Sequence, residues 1–169
     1  MLNAVTRVSY PLEEIHLPIY MLLGPVDKDG TIDKKRALKG RSINKDHFHW
    51  IELESCSFGR VDRAVGAVGG GANRERSSGT VQELFCSRAM DGISAQLMKL
   101  NTQGSSAVWG ATIAFVKNGE VVQQIDLENV LISSYHASRF QGKSVENFAL
   151  NFDNAIPKKV VASDVDTLP

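Results

Sequence analysis

The chain is poor in sulfur, poor in aromatic rings and without an excess of charge of either sign. Its two cysteines, Cys56 and Cys86, are too few for a disulfide-stapled scaffold. With no His or further Cys beside either sulfur, a thiolate zinc centre has no ligand set. Both cysteines lie in strand-like stretches, where a buried free thiol is the ordinary outcome. A disulfide requires those strands to be neighbours at bridging Cα distance. Aromatic residues make up 7% of the chain, too thin a supply for a stacking surface for single-stranded nucleic acid or sugars. Nineteen basic residues balance nineteen acidic ones, so no general pull toward nucleic acid or anionic membrane is expected. That balance also leaves little long-range repulsion between copies of the chain. No apolar run reaches the roughly 20 residues that span a bilayer, so no membrane insertion is expected. Residues 1–18 carry Arg7, Glu13 and Glu14 and lack a central apolar stretch, so they do not read as a Sec-type signal.

Catalytic signatures are equally scarce. No Gly-x-Ser-x-Gly elbow exists; Gly92-Ile93-Ser94-Ala95-Gln96 fails at the final glycine. Gly69-Gly70-Gly71 is followed by Arg74-Glu75-Arg76 and a strand rather than by Gly-Lys-Ser and a helix, so it is no phosphate cradle. Gly142-Lys143-Ser144 lacks the upstream glycine and the helix. His47 and His49 stand two apart, which on a strand places both on one face, but without a third ligand they read as surface or packing histidines. Glu52 and Glu54 share a strand face and read as its solvent side rather than as a glycosidase pair. Trp109 and Phe115 read as core or interface anchors. No catalytic, metal-binding or cofactor-binding residue is expected, and the chain does not read as an enzyme.

What is present is an ordinary globular composition, 43% apolar and 22% charged, enough to build one core without staples. The expected layout is a lead-in over residues 1–17, one domain over 18–162 and a tail over 163–169, with no repeat, linker or further domain. Residues 17–23 form a short apolar run closed by Gly24-Pro25, a first strand. Residues 27–46 read as a solvated loop: Lys28, Lys34, Lys35, Arg36, Lys39, Arg41 and Lys45 are diluted by Asp27, Asp29, Asp33 and Asp46. In residues 50–59, Ile51 and Leu53 alternate with Glu52 and Glu54 as in a half-buried strand. Residues 80–88 are a further strand. Residues 91–102 predict a helix with Ile93, Leu97, Met98 and Leu100 on its apolar side, Asp91 or Ser94 as cap and Gly104 as stop. Residues 107–117 and 120–127 predict a hairpin around Asn118-Gly119, because both residues tolerate positive φ. Residues 129–135, 145–152 and 156–162 add three strands. In the second of these Phe148, Leu150 and Phe152 share a face, and Val145 falls on the other, implying a bulge or an early strand start. The sum is about eight strands and one short helix: an all-β dominated fold, a closed or nearly closed barrel.

The middle of the chain is the most telling part. Residues 66–79 are glycine-rich and polar, too flexible to pack a core. A long loop projecting from a β-scaffold usually touches something else.

These landmarks, taken in order, resemble the hemolysin-coregulated protein (Hcp) family of the bacterial type VI secretion system. Pro18-Ile19-Tyr20-Met21-Leu22-Leu23-Gly24 is similar to its opening strand. His47 through Gly59 resembles its His-x-x-Trp-Ile-Glu segment, with Phe58 in the aromatic slot, and the glycine-rich loop comes next. Residues 80–91 resemble the strand that ends in a basic residue and an Asp before the short helix. Leu127-Glu128-Asn129-Val130-Leu131-Ile132-Ser133-Ser134 resembles a Leu-Glu-Asp-Val pattern, with Asn129 where Asp is common. Residues 146–152 resemble its late strand. The resemblance implies a tube subunit without catalytic activity that forms homohexameric rings. Stacked rings would form a hollow tube, with a contractile sheath, a spike and small effector proteins as partners. It implies assembly in the bacterial cytoplasm and export without a Sec signal. The loop residues Val65, Gly66, Val68, Gly69, Gly70, Gly71, Asn73, Arg74, Glu75 and Arg76 are then expected to carry ring-to-ring stacking. The alternative is a monomeric or dimeric Hcp-like secreted effector or effector-binding adaptor.

Overall fold

The structure, a computed structural model, describes residues 17–62 and 80–160. Nine strands and one helix follow one another in these segments: β1 (Ile19–Pro25), β2 (Ile51–Leu53), β3 (Ser55–Asp62), β4 (Thr80–Ala89), α1 (Ser94–Gln103), β5 (Trp109–Lys117), β6 (Glu120–Glu128), β7 (Leu131–Phe140), β8 (Lys143–Asn151) and β9 (Asn154–Val160). They form two antiparallel sheets, one of order β2-β1-β5-β6-β9 and one of order β3-β4-β8-β7. The chain crosses between the sheets four times, directly at three corners, β2 to β3, β6 to β7 and β8 to β9, and through α1 from β4 to β5. The inner faces meet in one core that includes Met21, Leu23, Ile51, Leu84, Ile113, Leu127, Phe148 and Leu150, with Ile93 and Leu97 of the helix region packed into it.

The expected strand over residues 50–59 is two strands in two sheets. Ile51 and Leu53 are buried, and the next inward positions are Cys56 and Phe58. The inward parity slips by one at Glu54, where the chain leaves one sheet for the other, the kind of bend by which a strand switches sheets. Strand β1 runs on through Gly24-Pro25 rather than ending there. Pro25 closes its ladder opposite Trp109. A Cβ on Gly24 would come within 2.6 Å of the Ala37 Cα, so glycine is what allows residue 37 to lie against the strand.

That contact corrects the solvated-loop expectation for residues 27–46. The basic side chains are exposed, but Ala37, Leu38 and Ser42 are buried. The Leu38 N–H donates to the Leu23 carbonyl at 2.9 Å, and the segment covers the outer side of β1. Strand β1 is therefore buried on both faces, which is why it reads as a continuous apolar run.

The Asn118-Gly119 hairpin is as expected, with φ of 51° and 80°. A second two-residue turn, Gln141-Gly142, joins β7 to β8 with φ of 49° and 74°. Phe148, Leu150 and Phe152 are buried on one face, and β8 starts early, at Lys143. The helix begins at Ser94 and neither expected cap serves it. The N-cap position is Ile93; the Asp91 carboxylate accepts from the Ile93 N–H, and the Ser94 hydroxyl is engaged elsewhere. Gly104 ends the helix at φ 67° with its N–H donating to the Leu100 carbonyl. Met98 points outward, 45% exposed, because it lies about 100° round the helix from Leu97.

Candidate functional site

The stacking residues expected from sequence, Val65 to Arg76, lie outside the described residues. Their anchorage does not. The β3–β4 ladder runs in register from Ser55↔Ser87 to Asp62↔Thr80, so residues 63–79 leave and re-enter the same end of one hairpin. Phe58 and Phe85 sit on opposite faces of that ladder, 48% and 41% exposed. The Phe58 ring meets Phe152 edge-on at 6.0 Å and lines an open cleft of about 350 Å³ with Gly59, Gln82, Ile125, Ala155 and Pro157. The Phe85 ring lies over Gly59, in the space a Cβ there would need. On the outward face of the same sheet, Ser55, Ser57, Ser87, Ser134, His136 and Asn147 line a shallow groove with Phe85.

The strongest electrostatic feature is buried. Glu146 follows the same alternation as Phe148, Leu150 and Phe152, and it is fully buried. Its Oε1 accepts from Arg88 Nη1 and from the Ser94 hydroxyl, and its Oε2 accepts from the Tyr135 hydroxyl at 2.5 Å. Arg88 also donates from Nη2 to Asp91 at 2.5 Å. Burial, then the hydrogen bond to Glu146, pushes the Tyr135 phenol well above its ordinary value of 10.0, so it remains a donor. The cluster ties β4, β7 and β8 to the start of the helix. Both oxygens of Glu146 are committed, and neither of the two clefts just described includes Arg88 or Glu146. This is an arrangement for holding elements together rather than for acid–base work. Composition gave no hint of it; the parity of Glu146 with three apolar neighbours did.

The two histidines do not share a strand face. Both lie in the turn before β2, with His49 exposed at φ 63° and His47 buried. The His47 ring stacks on Tyr20 at 4.9 Å and meets Trp50 edge-on, while its Nδ1 lies 3.2 Å from the Asn44 Oδ1. It is a packing histidine, and burial lowers its pKa from 6.5, with the charge of Asp46 opposing. An unfolded chain then binds this proton more readily than the folded one. The stability due to the neutral ring is complete above pH 6.5 and declines as the pH falls toward the lowered folded value. Denaturation midpoints at pH 7.5 and 5.5 are expected to fall less in His47→Phe than in the native chain. An unchanged difference would remove His47 from the acid response.

Glu52 and Glu54 are exposed, as read from sequence, and Glu54 pairs with Lys143 at 3.0 Å on the surface. Trp109 and Phe115 are partly buried against the core, and the Trp109 indole donates to the Ser105 hydroxyl at 2.8 Å. Among the described residues no group of three or more His, Cys, Asp or Glu is gathered for a metal, and no helix is long and apolar enough to cross a membrane.

The family model described as type VI secretion system effector, Hcp, matches residues 28–157, most of the chain. The chain belongs to the Hcp family. Solved Hcp structures share its fold at low identity. Hcp1 from E. coli EAEC 042 is 16% identical with a TM-score of 0.61, covering 84% of this chain and 91% of its own. Hcp2 from Salmonella typhimurium is 18% identical with a TM-score of 0.56, covering 85% and 88%. A type VI secretion system effector from Yersinia pestis is 12% identical with a TM-score of 0.59, covering 85% and 92%. No curated protein matches the chain. Residues 27–46, read from sequence as a solvated loop, lie inside the matched region from residue 28 onward.

Proposed function

We propose that this Hcp-family chain is a structural subunit of the type VI secretion inner tube. Copies close head to tail into hexameric rings, the rings stack, and the lumen carries small effector proteins. The family match across residues 28–157 carries this reading. Sheath and spike proteins of the secretion machine are its other partners. It assembles in the bacterial cytoplasm and leaves without a Sec signal. The closed or nearly closed wall expected of such a subunit belongs to the same proposal, supported by the three corners at which the chain passes from sheet to sheet.

Physics favours the assembly. A heterologous contact closes into a ring when its rotation closes, and a second such face lets rings stack without limit. A net charge of zero removes one barrier to dense stacking of identical copies. The glycine-rich segment between β3 and β4 supplies contact area beyond the wall, with Arg74, Glu75 and Arg76 as polar complements.

Solution mass and electron micrographs of the purified protein are expected to give six-fold rings with a central hole. Deleting residues 68–76 is expected to leave the ring intact and abolish tubes. Tubes that form equally well without that segment would defeat the stacking role. A stable monomer at high concentration would favour the effector or adaptor reading over the tube.

A further inference from the structure

We propose that Cys56 and Cys86 form a thiol–disulfide modification site, in which a low-molecular-weight disulfide of the glutathione class converts the pair into an intramolecular bond between β3 and β4. The two residues stand directly opposite each other in the ladder, and their sulfurs lie 3.9 Å apart. Opposed residues of an antiparallel pair have Cα atoms about 4.5–5.5 Å apart, inside the range of about 4.4–6.8 Å that a disulfide spans. Side-chain rotation can therefore close the gap with the backbone in place. The chain holds no other cysteine, so no competing intramolecular bond exists.

The two positions divide the chemistry. Cys56 is half-buried on β3, an edge strand of its sheet, whereas Cys86 is 3% exposed within the core on β4. The Cys56 thiolate attacks one sulfur of the small disulfide, forming a mixed disulfide and expelling one small thiolate. Cys86 loses its proton to solvent, attacks the Cys56 sulfur and expels the second. The balance is two protein thiols and one small disulfide giving one protein disulfide and two small thiols. In the reduced pair the hydrogen bond with Cys56, and then burial, raise the Cys86 thiol well above its ordinary range; burial persists once Cys56 is a mixed disulfide, so the second step quickens with rising pH.

The bond would fasten β3 to β4 and close the stretch between residues 56 and 86 into a loop, restricting the unfolded chain. This goes beyond the tube reading and stands without it, since the readout is covalent and needs no ring.

In the test, the full-length protein is reduced, freed of reductant and exposed under native conditions to oxidised glutathione. It is then unfolded and treated with iodoacetamide. The expected result is loss of both alkylatable thiols and a linked peptide pair containing Cys56 and Cys86. No covalent dimer should form, and the thermal midpoint should rise by several degrees, reversibly with dithiothreitol. Cys86→Ser is expected to stop at a glutathione adduct on Cys56, and Cys56→Ser to take up glutathione at least tenfold more slowly. Two persistent thiols in the native sequence, or bonds only between chains, would overturn the site. Faster glutathione uptake at Cys86 than at Cys56 would overturn the order of attack.

Discussion

Glu146→Ala is expected to cost about 3–5 kcal/mol of folding free energy, the effect of leaving a buried charge without its partner. Arg88 is 3% exposed and cannot recover its hydration where it stands. Asp91 would remain as its one anionic neighbour, while the Tyr135 and Ser94 hydroxyls would lose their acceptor. Domain stabilities lie near 5–15 kcal/mol, so the variant should unfold at far lower urea and much of it should fail to fold in the cell. Glu146→Gln keeps one acceptor oxygen at the same place, exchanges the other for an NH2 donor, and should cost less than alanine. The combined change Arg88→Met with Glu146→Leu removes both charges together. It should recover much of the loss, because apolar replacements for a buried ion pair are often neutral or better. Urea titrations of the four proteins decide the matter. If the alanine variant loses under about 1 kcal/mol, the cluster does not hold these elements together.

Gly40→Ala is expected to cost about 3 kcal/mol, at the upper end of what overpacking does. A Cβ at residue 40 would meet the Trp50 carbonyl and the Ile51 Cα, with the Trp50 carbonyl carbon and that Cα each at 2.5 Å. These are backbone atoms at the start of β2, so no side chain can rotate away. Two hydrogen bonds bracket the contact, from the Gly40 N–H to the His49 carbonyl at 2.8 Å and from the Ser42 N–H to the Trp50 carbonyl at 3.2 Å. Pushing residue 40 outward should break both and loosen the segment from β1. Ala at Gly92, where nothing lies within 4 Å of the added carbon, is the control. Chemical denaturation of the pair should show a large loss for the first and a small change for the second. Equal losses would mean the contact at residue 40 is relieved by movement of the chain.

Local signals in the sequence were legible where the physics is local. Asn118-Gly119 announced its turn because positive φ suits both residues, and the alternation of Phe148, Leu150 and Phe152 announced its buried face. Gln141-Gly142 makes the same kind of turn without the Asn or Asp that usually marks one, so it was missed. The split between β2 and β3 was written in the pattern, with apolar positions at 51 and 53 and then at 56 and 58. A single unbroken strand cannot bury both pairs on one face. Burial of Leu38 and His47 was not legible, since no strand or helix period marks them in a segment rich in Lys, Arg and Asp and the surface they cover is supplied by β1, far away in sequence. Arg88 and Asp91 were visible as a basic residue and an Asp before a helix, but their work depends on Glu146, 58 positions from Arg88. Of the candidate site, the sequence named the loop, and the structure adds the hairpin from which it departs.

The three corners have a mechanical consequence. Backbone, not side-chain contact alone, carries force from one sheet to the other at Glu54, at Asn129-Val130 and at Phe152-Asp153. Pulling on either sheet strains covalent bonds that continue into its neighbour, so the halves cannot shear apart while the strands remain intact. Sliding one sheet over the other therefore has to unzip strand pairing beside a corner first.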